Sequence, residues 1–447
     1  MDKVFFISAG QLRTKKGKNI SNQKNMYLNY GLLSLATVVK NAGYQSLVIH
    51  GNFSLPDDFF SELVDLGLLK TNYPIYISIP SYYALSWVRE LTILLKHNVK
   101  NKIYIGGRWV IDSHPELLSK EIPYADEIIS GLGENKILGT ITGLADNNNY
   151  KHLPLDYSLL FNRELYQPSI EISRGCGMKC SFCQEKNEPL TSLKPPESII
   201  EEFNKIILHD NLREMTPYFE ASMFKPTQEW LDDFIFQREK YNQRFSWRTE
   251  SRVDAFSTRL IPLLAQAGMK VIDLGLESAS PIQLSRMNKT KKADAYLDKA
   301  SKLLKICHDN NIKAKVNVML YAGENNNSLE ETRSFLKDHK DYIYGLSCGV
   351  VSAFGWECEK KDFISYLVSH GAEISEEDSF VGVTNFHLSK KISYSDSVVI
   401  AKELSKEFMS LKNFFDLKAF SYYPRDYLFE QFVKDVKSES GSYSFNY

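Results

Sequence analysis

Short apolar runs alternate with amphipathic stretches through most of this chain, and few architectures accept that pattern. "VFFIS" precedes a helical stripe at Leu32, Leu33, Leu35, Ala36 and Val39 that stops at Gly43. "YQSLVIH" reads as a strand, "DDFFSELVDLGLL" as a helix and "IYISI" as a strand. Leu85, Val88, Leu91, Leu94 and Leu95 then mark one face of a helix, and "IYIGG" and "ADEIIS" are two more strands. Strands alternating with helices predict a doubly wound parallel sheet, Rossmann-like, with helices on both faces. Ligands of such sheets sit beyond the carboxyl ends of the strands. Those ends carry Ser8 to Gly10, His50 and Gly51, Pro80, Ser81, Tyr82 and Tyr83, Gly106 and Gly107, and Gly131, Gly133 and Glu134. Glycine lets a backbone approach a bulky ligand closely, although any one of these also suits a tight βα turn.

A second alternating series follows. "LADNNNYKHLP" marks a polar linker. "STRLIPLLAQAG" is a helix with a glycine stop, "KVIDLGLES" a buried strand, "ADAYLDKASKLLKICHDNN" a long amphipathic helix and "IKAKVNVML" a strand. "SLEETRSFLKDH" reads as a helix opened by a capping box from Ser328 to Glu331. The repeat predicts a full or partial (β/α) barrel. The chain is thus expected to be α/β: an N-terminal sheet domain over 1–145, a linker over 146–165, a partial barrel over 166–345, and a small α-rich C-terminal domain over 346–447 that caps or shapes a substrate site. The aromatics of "FFDLKAFSYYPRDYLF" read as its core.

Composition narrows the function classes. Net charge is −1, from 54 Lys+Arg against 55 Asp+Glu, so the basic excess of a nucleic-acid binder is missing. "RTKKGKN" from Arg13 and "NKTKK" from Asn288 are short and read as solvated loops. No stretch approaches the ~20 apolar residues of a membrane span, and "MDKVFFISAG" reads as a strand opening rather than a signal peptide. Neither nucleic acid nor membrane is an expected partner. Six cysteines, three of them clustered, suggest a metal site in a reducing, cytoplasmic compartment.

That cluster is "EISRGCGMKCSFCQEKN", with Cys176, Cys180 and Cys183 spaced Cys-x3-Cys-x2-Cys. Thiolates select zinc, copper(I) or iron–sulfur. A structural zinc wants a fourth ligand, and it would have to come from afar, from His152 or His308. A cubane held by three thiolates instead leaves one iron open. Cys307 shares an apolar face with Leu297, Ala300, Leu303 and Leu304 and reads as core. The scattered Cys348 and Cys358 also read as structural.

The cluster, with "EISRGC" before it and "PPESIIEEF" after it, resembles the fingerprint of the radical S-adenosylmethionine (SAM) superfamily. "WRTESRVDAF", "LLAQAGMKVIDLGLESAS" and "NIKAKVNVMLYAGENNNSLEET" are similar, in order, to later segments of its large subgroup containing methylthiotransferases and cobalamin-dependent enzymes. "LNYGLLSLATVVKNAGYQSLVIHG", "IYIGGRWV" with "DSHPELL", and "ADEIISGLGEN" look like the cobalamin-binding domain that precedes the barrel in the cobalamin-dependent members. Two departures stand out. The Asp-x-His-x-x-Gly signature of a cobalt-ligating histidine is absent around His50, and "YAGENNN" keeps Gly323 and Glu324 without the usual proline.

The resemblance implies a [4Fe–4S] cluster on Cys176, Cys180 and Cys183, with the fourth iron chelating SAM. Phe182 would lie near the adenine, Glu220 near the amino group, Arg252 by the carboxylate and Glu277 at the ribose hydroxyls. A plain reading competes with each of the last three: a loop-orienting carboxylate or a structural ion pair. Cobalamin would occupy the strand ends that carry Ser8, Gly10, Pro80, Ser81, Tyr82, Gly106, Gly107, Gly131, Gly133 and Glu134, with that edge facing the barrel mouth. The implied activity is generation of a 5′-deoxyadenosyl radical and methyl transfer to an unactivated carbon, or to phosphorus. The substrate would be a small metabolite, natural-product intermediate or peptide, and a flavodoxin or ferredoxin would donate electrons. Cyclisation or rearrangement without methyl transfer is the rival within the family. A non-catalytic metal or cobalamin binding module is the rival outside it. A methylthiotransferase fits less well, because no cysteine triad precedes the barrel segment.

Overall fold

The computed structural model describes residues 2–12, 20–111, 114–144, 150, 153–209, 216–255 and 257–438. "RTKKGKN", His152 and most of the polar linker lie outside the described residues. The chain forms two compact units, one of Met1–Lys18, Met26–Tyr166 and Asn204–Asn211, the other of Asn19–Asn25, Gln167–Phe203 and Leu212–Tyr447.

The first unit is built on five parallel strands, β1 (Val4–Ser8), β2 (Ser46–His50), β3 (Ile75–Ser78), β4 (Ile103–Gly106) and β5 (Glu127–Ile129), in the order β2-β1-β3-β4-β5. Every residue of β1 is buried, as a central parallel strand covered on both faces requires. The helix Tyr30–Asn41 starts where the Asn29 side chain accepts from Leu32 N–H, and it buries Leu32, Leu33, Ala36 and Val39. It stops before Gly43, whose φ of +95° lies in the left-handed region that glycine tolerates. The helices Pro56–Asp65 and Leu85–Asn98 follow, the latter burying Leu85, Val88, Leu91 and Leu95. Strand order reverses between β1 and β3, and this topological switch point is where doubly wound sheets open a ligand crevice.

The second unit holds six parallel strands, β6 (Ser169–Glu171), β7 (Tyr218–Glu220), β8 (Trp247–Arg252), β9 (Met269–Glu277), β10 (Lys313–Leu320) and β11 (Gly345–Val350). Each pairs with the next in sequence, in the order β11-β10-β9-β8-β7-β6. The arc is a partial barrel. Its strands are tied across the sheet by a buried ionic triad. Arg248 donates to both Asp273 carboxylate oxygens at 2.6 and 2.8 Å, and Lys315 approaches Asp273 at 3.0 Å. Burial alone would raise the Asp273 pKa, yet the two cations pull it well below the usual carboxylate range. Arg248 also donates to the Leu417 carbonyl at 2.7 Å, which fastens the helix Leu411–Ser421 to the sheet.

Two local readings are corrected. The helix Asn326–Asp338 is capped by Asn325, whose side chain accepts from Asn327 and Ser328 N–H while Ser328 Oγ accepts from Asn325 N–H. Ser328 is therefore the far member of the capping box, not its first residue. The "NKTKK" segment is not wholly solvated either, since Lys289 is only 5% exposed.

The C-terminal part is mainly helical, and it also contains an antiparallel sheet absent from the sequence reading. Its strands β12 (Ser352–Phe354), β13 (Glu373–Phe380) and β14 (Val383–His387) run in the order β12-β14-β13. Phe414, Phe415, Tyr423, Tyr427 and Phe432 pack with Val271 as one apolar cluster, so the aromatic tail is core. The helix Ile20–Gln23 belongs to this unit and packs against the helix Phe429–Ser438, with the Lys24 ammonium 5.6 Å from the Tyr427 ring centre. Among the described residues no helix is long and apolar enough to cross a membrane.

Candidate functional site

The three clustered cysteines lie on the loop that leaves β6, and all are free thiols. Backbone bonds fold this loop tightly. Cys176 and Gly177 N–H both donate to the Glu188 carbonyl, and Ser181 N–H donates to the Met287 carbonyl at 2.9 Å. Asn288 Nδ2 donates to the Lys179 carbonyl at 2.6 Å. Gly175 has φ +69°, and a Cβ there would stand 2.2 Å from the Pro189 carbonyl oxygen, so only glycine fits at the start of the turn. Cys176 and Cys180 are buried and Cys183 half-buried. Burial pushes the Cys183 thiol up to about 11. Among the described residues no three His, Cys, Asp or Glu side chains are drawn together to hold one ion. Thiolates that each take a different iron need not converge on one point.

The other residues expected at SAM fall around this loop. Phe182 is half-buried, its ring edge-on to Tyr321 at 6.5 Å, and the Tyr321 hydroxyl shares a 2.8 Å hydrogen bond with Ser181 Oγ. Glu220 ends β7 opposite Glu171. Burial, followed by the Glu171 charge, outweighs a hydrogen bond from Ser169 and pushes its pKa up to about 7. Glu277 ends β9 with φ +66°, an uncommon conformation for a side-chain-bearing residue and a mark of a functional or strained position. It pairs with Lys289 at 2.9 Å. Gly275 makes room for that pair, because a Cβ there would lie 2.7 Å from Glu277 Oε1. Arg252 ends β8 at 5% exposure. Its Nη1 donates to Cys180 Sγ at 3.1 Å, and its Nε and Nη2 grip Asp254. Lys289 and Asp254 were not singled out from sequence. A lysine twelve residues after a strand-end glutamate carries no local signal of the ion pair.

His308 is exposed at the end of the helix Ala293–Asp309, near Tyr342. Cys307 is fully buried in that helix, Cys348 is 1% exposed in β11, and Cys358 is exposed.

The switch point of the first unit carries the other predicted residues. Asn29, missed in sequence though it stands in the N-cap position, organises it. Its Nδ2 donates to Ser8 Oγ at 3.1 Å and to Ser78 Oγ at 3.0 Å, and its backbone N–H donates to His50 Nε2 at 3.0 Å. The Nε2 lone pair of His50 is thus already engaged, in keeping with the missing cobalt-ligating signature. Burial lowers the His50 pKa to about 4. Its folded value lies below the ordinary 6.5, so the unfolded chain binds the extra proton first as pH falls. The neutral ring therefore contributes stability that is complete above pH 6.5 and is lost toward pH 4, about 3 kcal/mol in all. Replacing His50 by glutamine is expected to flatten the acid dependence of urea unfolding between pH 7 and 5. Equal slopes in both proteins would exclude this coupling.

At the end of β4, Gly107 has φ +135°, and a Cβ would lie 2.3 Å from the Ile79 carbonyl oxygen. Ser81 Oγ is buried without a partner among the described residues, Tyr82 is buried and Pro80 exposed. Gly106 and Gly133 are half-buried and Gly131 is exposed; Glu134 accepts from Ser34 Oγ at 3.4 Å. Gly10 is buried, and a Cβ there would meet the Trp87 indole at 2.7 Å, so packing against Trp87 accounts for that glycine. The buried Ser81 hydroxyl is a polar group at the switch point that a ligand laid along the strand ends could meet.

Comparison with known proteins agrees with this geometry. Residues 170–336 match the radical SAM superfamily. The anaerobic magnesium-protoporphyrin IX monomethyl ester cyclase of Rubrivivax gelatinosus is 22% identical over 56% of this chain and 51% of its own length, so the chain spans about half of that curated relative. The radical SAM methyltransferase TsrM from Kitasatospora setae, solved with cobalamin and a [4Fe–4S] cluster bound, shares the fold at a TM-score of 0.53. The identity is 12%, over 78% of this chain and 72% of TsrM. The cobalamin-dependent SAM radical enzyme OxsB, solved with aqua-cobalamin and SAM, superposes at a TM-score of 0.58 with 16% identity, over 75% of this chain and 52% of OxsB. Residues 170–336 are therefore a radical SAM domain, and the chain shares the fold of cobalamin-dependent radical SAM enzymes.

Proposed function

We propose that this protein is a cobalamin-dependent radical SAM enzyme that methylates an unactivated carbon, or phosphorus, of a small molecule or peptide. The observation that carries the reading is one chain holding both a cysteine-loop barrel and a doubly wound unit with a glycine-lined switch point. Bound there, a reduced cluster with SAM supplies a 5′-deoxyadenosyl radical and methylcobalamin supplies a methyl group. Cys176, Cys180 and Cys183 hold the cluster. Phe182, backed by Tyr321, offers a ring to the adenine, and Glu220 and Glu277 offer carboxylates to the amino group and the ribose. Ser81, Tyr82, Gly106 and Gly107 line the corrin site. A reduced flavodoxin or ferredoxin in the cytoplasm supplies electrons.

The similarity to a cyclase favours a second reading, in which the same radical drives ring formation without methyl transfer. Anaerobic purification from cobalamin-fed cells, followed by corrin, iron and sulfide assays, tests the cofactor set. Stoichiometric corrin and cluster are expected. A chain with cluster but no corrin would overturn the cobalamin part. With substrate in hand, S-adenosylhomocysteine formed alongside 5′-deoxyadenosine identifies methyl transfer, and 5′-deoxyadenosine alone identifies the second reading.

A further inference from the structure

We infer that Arg252 sets the reduction potential of the cluster and does not receive the SAM carboxylate. The inference rests on the reading above that the cysteine loop holds an iron–sulfur cluster. Arginine grips a carboxylate through two parallel N–H groups on one edge of its fork, and neither edge of Arg252 is open. Nε and Nη2 already hold Asp254, at 2.9 and 3.1 Å. Nη2 also donates to the Lys289 carbonyl at 2.8 Å, and Nη1 donates to Cys180 Sγ at 3.1 Å. The guanidinium is buried and ion-paired with Asp254, and an arginine side chain does not lose its proton in proteins. It stays charged at every working pH. Lys289 in turn pairs with Glu277, so the Cys180 thiolate sits at one end of a chain Cys180–Arg252–Lys289–Glu277 that fixes the donor in place.

One-electron reduction adds a negative charge to the cluster and its thiolates. A fixed cation donating a hydrogen bond to a ligating sulfur favours that reduced form, and hydrogen bonds to the sulfurs are among the main determinants of cluster potential. Arg252 is a positioning and tuning residue. Its removal makes the cluster harder to reduce.

The test is an EPR-monitored redox titration of the reconstituted full-length protein, with iron and sulfide content and SAM affinity measured on the same samples. In Arg252→Gln the reduced-to-oxidised ratio at a fixed potential is expected to fall at least tenfold, a shift of about −59 mV for a one-electron couple. Arg252→Lys should shift it less, and SAM should bind within a few fold of wild type. Asp254→Asn leaves the donor to Cys180 in place and removes its counter-charge, so its midpoint should move the other way. That arm decides the matter if Arg252→Gln does not hold a cluster. Unchanged midpoints in variants with full iron overturn the inference, as does a large loss of SAM affinity at unchanged potential. A wild-type chain that takes up no iron overturns the functional reading itself.

Discussion

Cys183→Ala is expected to retain the fold, lose the iron–sulfur cluster and form no 5′-deoxyadenosine from SAM. Three thiolates leave no spare ligand, since each is assigned its own iron. A lost thiolate also cannot be replaced locally, because no fourth cysteine or histidine lies in the loop sequence. The half-buried position of Cys183 makes the truncation mild for packing, so the effect falls on the metal. Cys358→Ser, at an exposed position, should keep full iron and activity. Cys307→Ala, in the core, should cost about 1 kcal/mol of stability and no iron. Wild-type iron and turnover in Cys183→Ala would remove the cluster from this loop.

Asp273→Ala should give the largest loss of stability among single substitutions in the barrel, about 3–5 kcal/mol, because it strands buried charge. Arg248 and Lys315 both pair with that carboxylate, and their side chains are only 2% and 9% exposed. The helix Leu411–Ser421 should loosen with it, since Arg248 also holds the Leu417 carbonyl. Urea unfolding measures the loss. A change under about 1 kcal/mol would mean that water reaches the triad and screens it. Replacing all three partners by apolar residues of similar size should be much milder, because no charge then remains buried.

What could be read in the sequence was what repeats or clusters. Apolar runs buried on both faces signalled the parallel strands, and the Cys-x3-Cys-x2-Cys spacing signalled a soft-metal loop. The antiparallel sheet was missed because "EISEEDSF" buries only Ser375 among its residues, leaving no apolar alternation to detect. Lys289 was misplaced as solvated because its partner Glu277 lies on a different element. Arg252 was read either as a partner of the SAM carboxylate or as half of a structural ion pair, and the structure pairs it with Asp254. Its other partners, Cys180 and Lys289, lie 72 and 37 residues away, and no local pattern announces those contacts. The Asn29–His50–Ser78 arrangement was hidden for the same reason, its members coming from three separate βα units. Gly10 was read as a ligand contact or a tight turn, and no local signal announced that its missing side chain also makes room for the Trp87 ring.

The pairing of the helix Ile20–Gln23 with the helix Phe429–Ser438 sets an order on the making of this protein. The two partners are separated by roughly four hundred residues, about 20–80 s of ribosome time at common elongation rates. Through that interval the early segment is out on the nascent chain without the surface it finally covers. The second unit closes only after its last helix is free, while the strands of the first unit have long been available to pair. Slow release of the late helices would extend the life of a half-finished barrel whose cysteine loop is already exposed to metals and oxidants.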